Sequence, residues 1–159
     1  MRSVTILVDV QNIYYTCREA YQRNFDYNAF WRQVSADRTV VKAIAYAIDR
    51  GDEKQRQFQN ILRAIGFEVK LKPFIQRADG SAKGDWDVGI TIDAIEYGQH
   101  SDVLVLASGD GDFALLAETL ITKYHTEAEI YGVAGLTAQG LSNAASRFIA
   151  IEEPLLLPK

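Results

Sequence analysis

The chain is short of the residues on which many small catalytic sites are built. Its 159 residues include one cysteine, Cys17, two histidines, His100 and His125, and three prolines. A lone cysteine excludes an internal disulfide and a cysteine-based zinc cluster, and two widely separated histidines form no familiar zinc pattern. Any metal would therefore be held mainly by oxygen. Long apolar runs are missing too, and Met1-Arg2-Ser3-Val4 leads straight into a strand pattern, with no signal-peptide core or cleavage site. The expectation is a cytoplasmic protein that does not enter a membrane. Repeats, linkers and low-complexity segments are likewise absent, which predicts one globular domain spanning residues 1–159.

Several phosphate and hydrolase signatures are lacking as well. The first strand ends in Val8-Asp9-Val10-Gln11-Asn12, which supplies neither the Gly-rich turn of a dinucleotide site nor a P-loop. A haloacid-dehalogenase-like phosphatase would carry a second aspartate two residues after its nucleophile, where Gln11 stands. A receiver domain would want an acid after its third strand, where FIQR offers none, and no GxSxG elbow appears. Excess positive charge is missing: 17 basic residues face 21 acids, for a net charge of −4. That argues against coating nucleic acid through bulk charge. Setting aside Asp9, Asp87, Asp93, Asp110 and Asp112 as a cluster leaves 16 acids against 17 basic residues, so bound divalent ions would change the local field.

What is present is a regular alternation. RSVTILVD, TVVKAIAYAID, FEVKLKPFIQ, DVLVLAS, AEIYGV and RFIAIE read as strands. QNIYYTCREAY, YNAFWRQVS, EKQRQFQNILRAI, DVGITIDAIEYGQ, FALLAETLITKY and TAQGLSNAA read as helices between them, RADGSAKGD as a polar loop and PLLLPK as an extended end. Strands separated by helices imply a three-layer α/β fold, a mainly parallel central sheet with helices on both faces. In such a sheet the residues just past the strand carboxyl ends converge on one crevice.

Three segments place acids there. Asp9 follows the first strand, with Asn12 close behind to orient it or hold a water; either could instead cap the next helix. Ser108-Gly109-Asp110-Gly111-Asp112-Phe113 presents two acids two residues apart, with two glycines allowing a tight path. Capping by Asp112 explains one acid, not both. Lys83-Gly84-Asp85-Trp86-Asp87-Val88 opens a helix, and the helix dipole alone would account for Asp85 and Asp87. Asp93 lies about 240° around that helix from Asp87, so the two do not share a face. Asp87 is thus the better site candidate.

In this order and on these elements, VDVQN, KGDWDVGITIDA and SGDGDF resemble the NYN domains of the PIN-like nuclease superfamily, particularly the LabA-like bacterial proteins. The resemblance runs from Thr5 to about Ile151. It implies a PIN-like Rossmannoid fold and a metal-dependent ribonuclease site with Asp9, Asp87, Asp110 and Asp112 as catalytic and metal-binding acids. Asn12, Ser108 and Asp93 would support them. The cofactor it implies is Mg²⁺ or Mn²⁺, hard ions suited to oxygen ligands, of which one can activate a water and a second stabilise the leaving oxygen. RNA is the implied substrate. Lys83 is a candidate phosphate contact, as are Arg50, Lys70, Lys72 and Arg77; Tyr14, Tyr15 and Trp86 are candidates for stacking on unpaired bases, against packing roles for each. The alternative is a non-hydrolytic regulatory module of the LabA-like type that binds RNA or a protein partner. The aromatic content is compatible with a homodimer.

Overall fold

The computed structural model describes residues 1–73, 75–76, 82–83 and 85–159, with 75–76 and 82–83 described by backbone pairing only. The main sheet holds β1 (Arg2–Asp9), β2 (Arg38–Asp49), β3 (Glu68–Pro73), β6 (Val103–Ala107), β7 (Glu127–Gly132) and β8 (Arg147–Ala150). Their spatial order is β3-β2-β1-β6-β7-β8, and every neighbouring pair is parallel. The helices are α1 (Val10–Tyr21), α2 (Tyr27–Ser35), α3 (Glu53–Ile65), α4 (Asp87–Gly98), α5 (Ala114–Tyr124) and α6 (Gln139–Ala144).

Alternation along the central strands explains the three layers. Val4, Ile6 and Val8 of β1 share one core with Val103, Val105 and Ala107 of β6, which α1, α2 and α3 cover with Ile13, Cys17, Phe30, Val34 and Leu62. Leu7, Leu104 and Leu106 point the other way, into a second core closed by Ile90 and Ala94 of α4, Leu116 and Leu120 of α5, and Leu141 of α6. Both faces of the sheet are therefore buried, as the near-continuous apolar runs require. Each fully buried aliphatic side chain contributes roughly 1.5–3 kcal/mol.

Three expectations change at the margins. FEVKLKPFIQ is not one strand. It ends in the main sheet at Pro73, whose ring removes a ladder donor, and β4 (Ile75–Gln76) pairs antiparallel with β5 (Ala82–Lys83) in a separate ribbon. The polar loop read in RADGSAKGD thus contains a strand at 82–83; Arg77 and the rest of 77–81, with residue 84, lie outside the described residues. The PLLLPK tail is likewise not simply extended. A 3₁₀ turn at Glu153–Leu155 buries Leu155 and Leu156, and Leu156 bridges to Phe25. Among the described residues no helix is long and apolar enough to cross a membrane.

The strand order places the crevice. After β1 the chain turns into a helix on one face, and after β6 into helices on the other, so the adjacent carboxyl ends of β1 and β6 form the switch point of the sheet. Val8 pairs with Ala107. Asp9 and Ser108 therefore emerge side by side.

Candidate metal centre

Three backbone segments meet at the switch point. Asp9 ends β1 and caps α1, its Oδ1 accepting the Asn12 N–H at 3.5 Å. Its Oδ2 accepts the Ser108 hydroxyl at 3.1 Å, and the same Ser108 Oγ accepts the Asp110 N–H at 3.2 Å. One buried serine thus ties the β1 end to the β6 loop. Asn12 adds a second tie, its Oδ1 accepting the Gly109 N–H at 2.8 Å.

The loop after β6 is a 3₁₀ turn, Gly111–Phe113. Its cap is Asp110, not Asp112: the Asp110 carboxylate accepts the Asp112 N–H at 2.9 Å, leaving Asp112 exposed within the turn. The glycines serve a different purpose from the one the sequence suggested. Neither has a positive φ; a Cβ on Gly109 would lie 2.8 Å from the Leu136 carbonyl oxygen, and one on Gly111 would lie 2.9 Å from the Ala138 Cβ. They make room for the 136–138 loop, which Ala138 N–H ties to the Gly109 carbonyl at 3.0 Å.

Asp87 arrives from the third segment, at the start of α4. Trp86, the residue before the helix, makes no side-chain cap hydrogen bond. Tertiary contacts hold this end instead: Trp86 Nε1 donates to the Ala47 carbonyl at 2.9 Å, and Lys72 Nζ donates to the Asp85 carbonyl at 2.9 Å while lying 4.6 Å from the Trp86 ring centre. Further along α4, Asp93 is buried beneath the helix, where its Oδ2 accepts Tyr46 Oη and Lys70 Nζ, each at 2.8 Å.

One oxygen from each of Asp87, Asp110 and Asp112 can be chosen so that all lie within 4.8 Å of one another. Asp9, Asp85, Asp87 and Asp110 line a cavity of about 240 Å³, with Gln11, Asn12, Tyr15 and Thr16 completing the wall. Among the described residues no basic side chain lines it. The unbalanced charge shows in the acids. Burial pushes the Asp9 carboxyl up to about 6, partly offset by hydrogen bonds from Asn12 and Ser108 and assisted by the charges of Asp110 and Asp85. Burial, then repulsion from Asp110 and Asp85 and hydrogen bonding to Asp110 and Asp112, pushes Asp87 up to about 7. A hard divalent cation would relieve that repulsion, and an all-oxygen donor set without thiolate or imidazole fits one.

The sequence candidates are therefore divided by the fold. Asp9, Asp87, Asp110 and Asp112, with Asn12 and Ser108, come together; Asp93 does not line the cavity. Trp86 packs against Tyr46 and under Lys72. Lys70 is paired with Asp93, and Tyr14 is half exposed without lining the cavity. The side chain of Lys83 lies outside the described residues, so its contact with substrate is not placed. Asp85, Gln11 and Thr16 were missed. For Asp85 the signal existed, since it stands two residues before Asp87 just as Asp110 stands two before Asp112.

Comparison with known proteins gives the following. The sequence profile of the NYN domain matches residues 3–152. The low amplitude and bright protein LabA of Synechococcus elongatus is 29% identical over 163 residues, covering 94% of this chain and 84% of LabA. A crystal structure of a Vibrio parahaemolyticus protein of unknown function is 58% identical and superposes with a TM-score of 0.94, covering 98% of this chain and 96% of that one. MurG of Acinetobacter baumannii, 15% identical with a TM-score of 0.50 over 93% of this chain and 40% of that one, shares the fold alone.

Proposed function

Because the chain belongs to the NYN domain family, we propose that it is a metal-dependent ribonuclease, hydrolysing RNA phosphodiester bonds at a site formed by Asp9, Asp87, Asp110 and Asp112. The observation that carries this reading is the meeting of carboxylates from three distant segments at the switch point of the sheet, with no basic side chain lining the cavity among the described residues. Carboxylates so placed repel one another and need a cation or a proton.

Mg²⁺ or Mn²⁺ bound there would neutralise phosphate charge and lower the pKa of an attacking water. Asp87, Asp110 and Asp112 would hold the ion, with Asp9 and Asp85 lining the same cavity. Ser108 fixes the Asp9 carboxylate, Asn12 fixes the loop through Gly109, and Asp93 anchors α4 so that Asp87 faces the cleft. Lys83, at the end of the ribbon before α4, is the phosphate contact in this reading.

The test is metal-free protein incubated with labelled single-stranded and structured RNA, with and without Mg²⁺ or Mn²⁺, beside Asp110→Asn. Cleavage should require the ion and drop by about 100-fold or more in the variant, at the upper end of the losses seen when a metal site is disturbed. Cleavage that survives in Asp110→Asn would place the chemistry elsewhere. A second reading, a non-hydrolytic module that binds RNA or a protein partner, is favoured by Val88 and Ile92 on α4 and Leu115 on α5, which are all exposed. Absence of ion-dependent cleavage on every RNA would make it the leading one.

A further inference from the structure

We propose that Tyr15 is the base-stacking residue of this site and that it selects unpaired nucleotides; the inference rests on the ribonuclease reading. The cavity is small, about 240 Å³, against the roughly 300–1,000 Å³ of pockets that enclose a whole small molecule. Asp9, Asp85, Asp87 and Asp110 make up half of its lining residues. Such a space suits a phosphodiester group with cations, and leaves the adjoining base on the rim.

Tyr15 stands on that rim. It lies four residues after Gln11 and three after Asn12 on α1, so the three share a helix face, and all line the cavity. Tyr15 is 54% exposed, which leaves much of its ring open to a ligand. Tyr14 meets it edge to face, with centroids 5.4 Å apart and planes at 75°, which orients the Tyr15 ring while leaving it open.

The other aromatics near the cleft are already engaged. Trp86 donates to the Ala47 carbonyl and packs on Tyr46 beneath Lys72. Tyr46 donates to Asp93. Among the described residues the Tyr15 hydroxyl has no hydrogen-bond partner. With no basic side chain in the described wall, stacking holds the base while the cation, and Lys83 in the proposed function, meet the phosphate. A base can stack on a side chain only when it leaves its own helix, so single strands are favoured over duplexes.

The experiment compares wild type, Tyr15→Phe and Tyr15→Ala. Short labelled RNA, single-stranded or as a perfect duplex, is titrated by fluorescence anisotropy in Ca²⁺, KM and kcat are measured in Mn²⁺, and Mn²⁺ affinity is measured calorimetrically without RNA. Tyr15→Ala should weaken single-strand binding by roughly 5- to 100-fold, the range base stacking supplies, and raise KM with it. Duplex binding, Mn²⁺ affinity and melting temperature should stay unchanged, and Tyr15→Phe should behave as wild type. Single-strand binding by Tyr15→Ala equal to wild type overturns the inference, as does an equal loss for duplex or a loss of Mn²⁺ affinity. If wild type binds single strands through Tyr15 but cleaves nothing, the nuclease reading fails and the stacking role stands; if it cleaves and Tyr15→Ala is indistinguishable, the stacking role alone fails.

Discussion

At the level of single residues, the acids of the cleft oppose the stability of the fold in the absence of a cation. Asp9 and Asp87 are raised from 3.8 to about 6 and about 7, so between those limits the folded chain holds more protons than the unfolded one. Stability conferred by those protons is present at low pH and is lost as pH rises through the window. Metal-free protein should therefore be more stable near pH 5 than near pH 8 by roughly 2 kcal/mol, once solvent screening at the partly exposed Asp87 is allowed for, and should melt at a correspondingly higher temperature. Thermal unfolding across that range reads it, and a flat profile would show that the carboxyls do not interact as described. Asp87→Asn should raise the stability of the metal-free protein near neutral pH while lowering Mn²⁺ affinity at least about tenfold, a trade between fold and function that calorimetry and melting would register together.

At the level of elements, α4 is the piece on which the site depends most and which has the least local support. Its start is held by Trp86 and Lys72 instead of a side-chain cap, and its middle by Asp93 under Tyr46 and Lys70. Asp93→Ala should cost about 2–4 kcal/mol, because it strands a buried hydroxyl and a half-buried ammonium, whereas Asp110→Asn should cost little; urea unfolding separates the two. Helical spacing was enough to put Asp87 and Asp93 on different faces, since angular position along a helix is a local property. The alternation of the central strands was legible for the same reason. The break at Pro73 and the return of Leu155 and Leu156 to the core were not, because both depend on partners distant in sequence. Asp85 was passed over since the helix dipole explains an acid at that position equally well. The need for glycine at 109 was visible, yet its cause, the carbonyl of Leu136, is a tertiary contact.

For the whole molecule, the consequence is a net charge of −4 on a chain proposed to act on a polyanion. Divalent ions should therefore do more than assist chemistry: they should be needed for RNA to bind at all, and the ion alone should stabilise the fold. At about 100 times its dissociation constant, Mn²⁺ should raise the melting temperature at pH 7.5 by about 5–10 °C. An unchanged melting temperature at millimolar Mn²⁺ would count against the cluster as a cation site.

The bond between the Asn12 carboxamide and the Gly109 amide offers a gauge of that cluster. This amide answers to a side chain on α1 and not to the sheet ladder, so its hydrogen exchange reports local opening between α1 and the loop after β6 independently of global unfolding. Slower exchange at this one position on adding a cation would read the tightening of the cleft directly, with no substrate in hand.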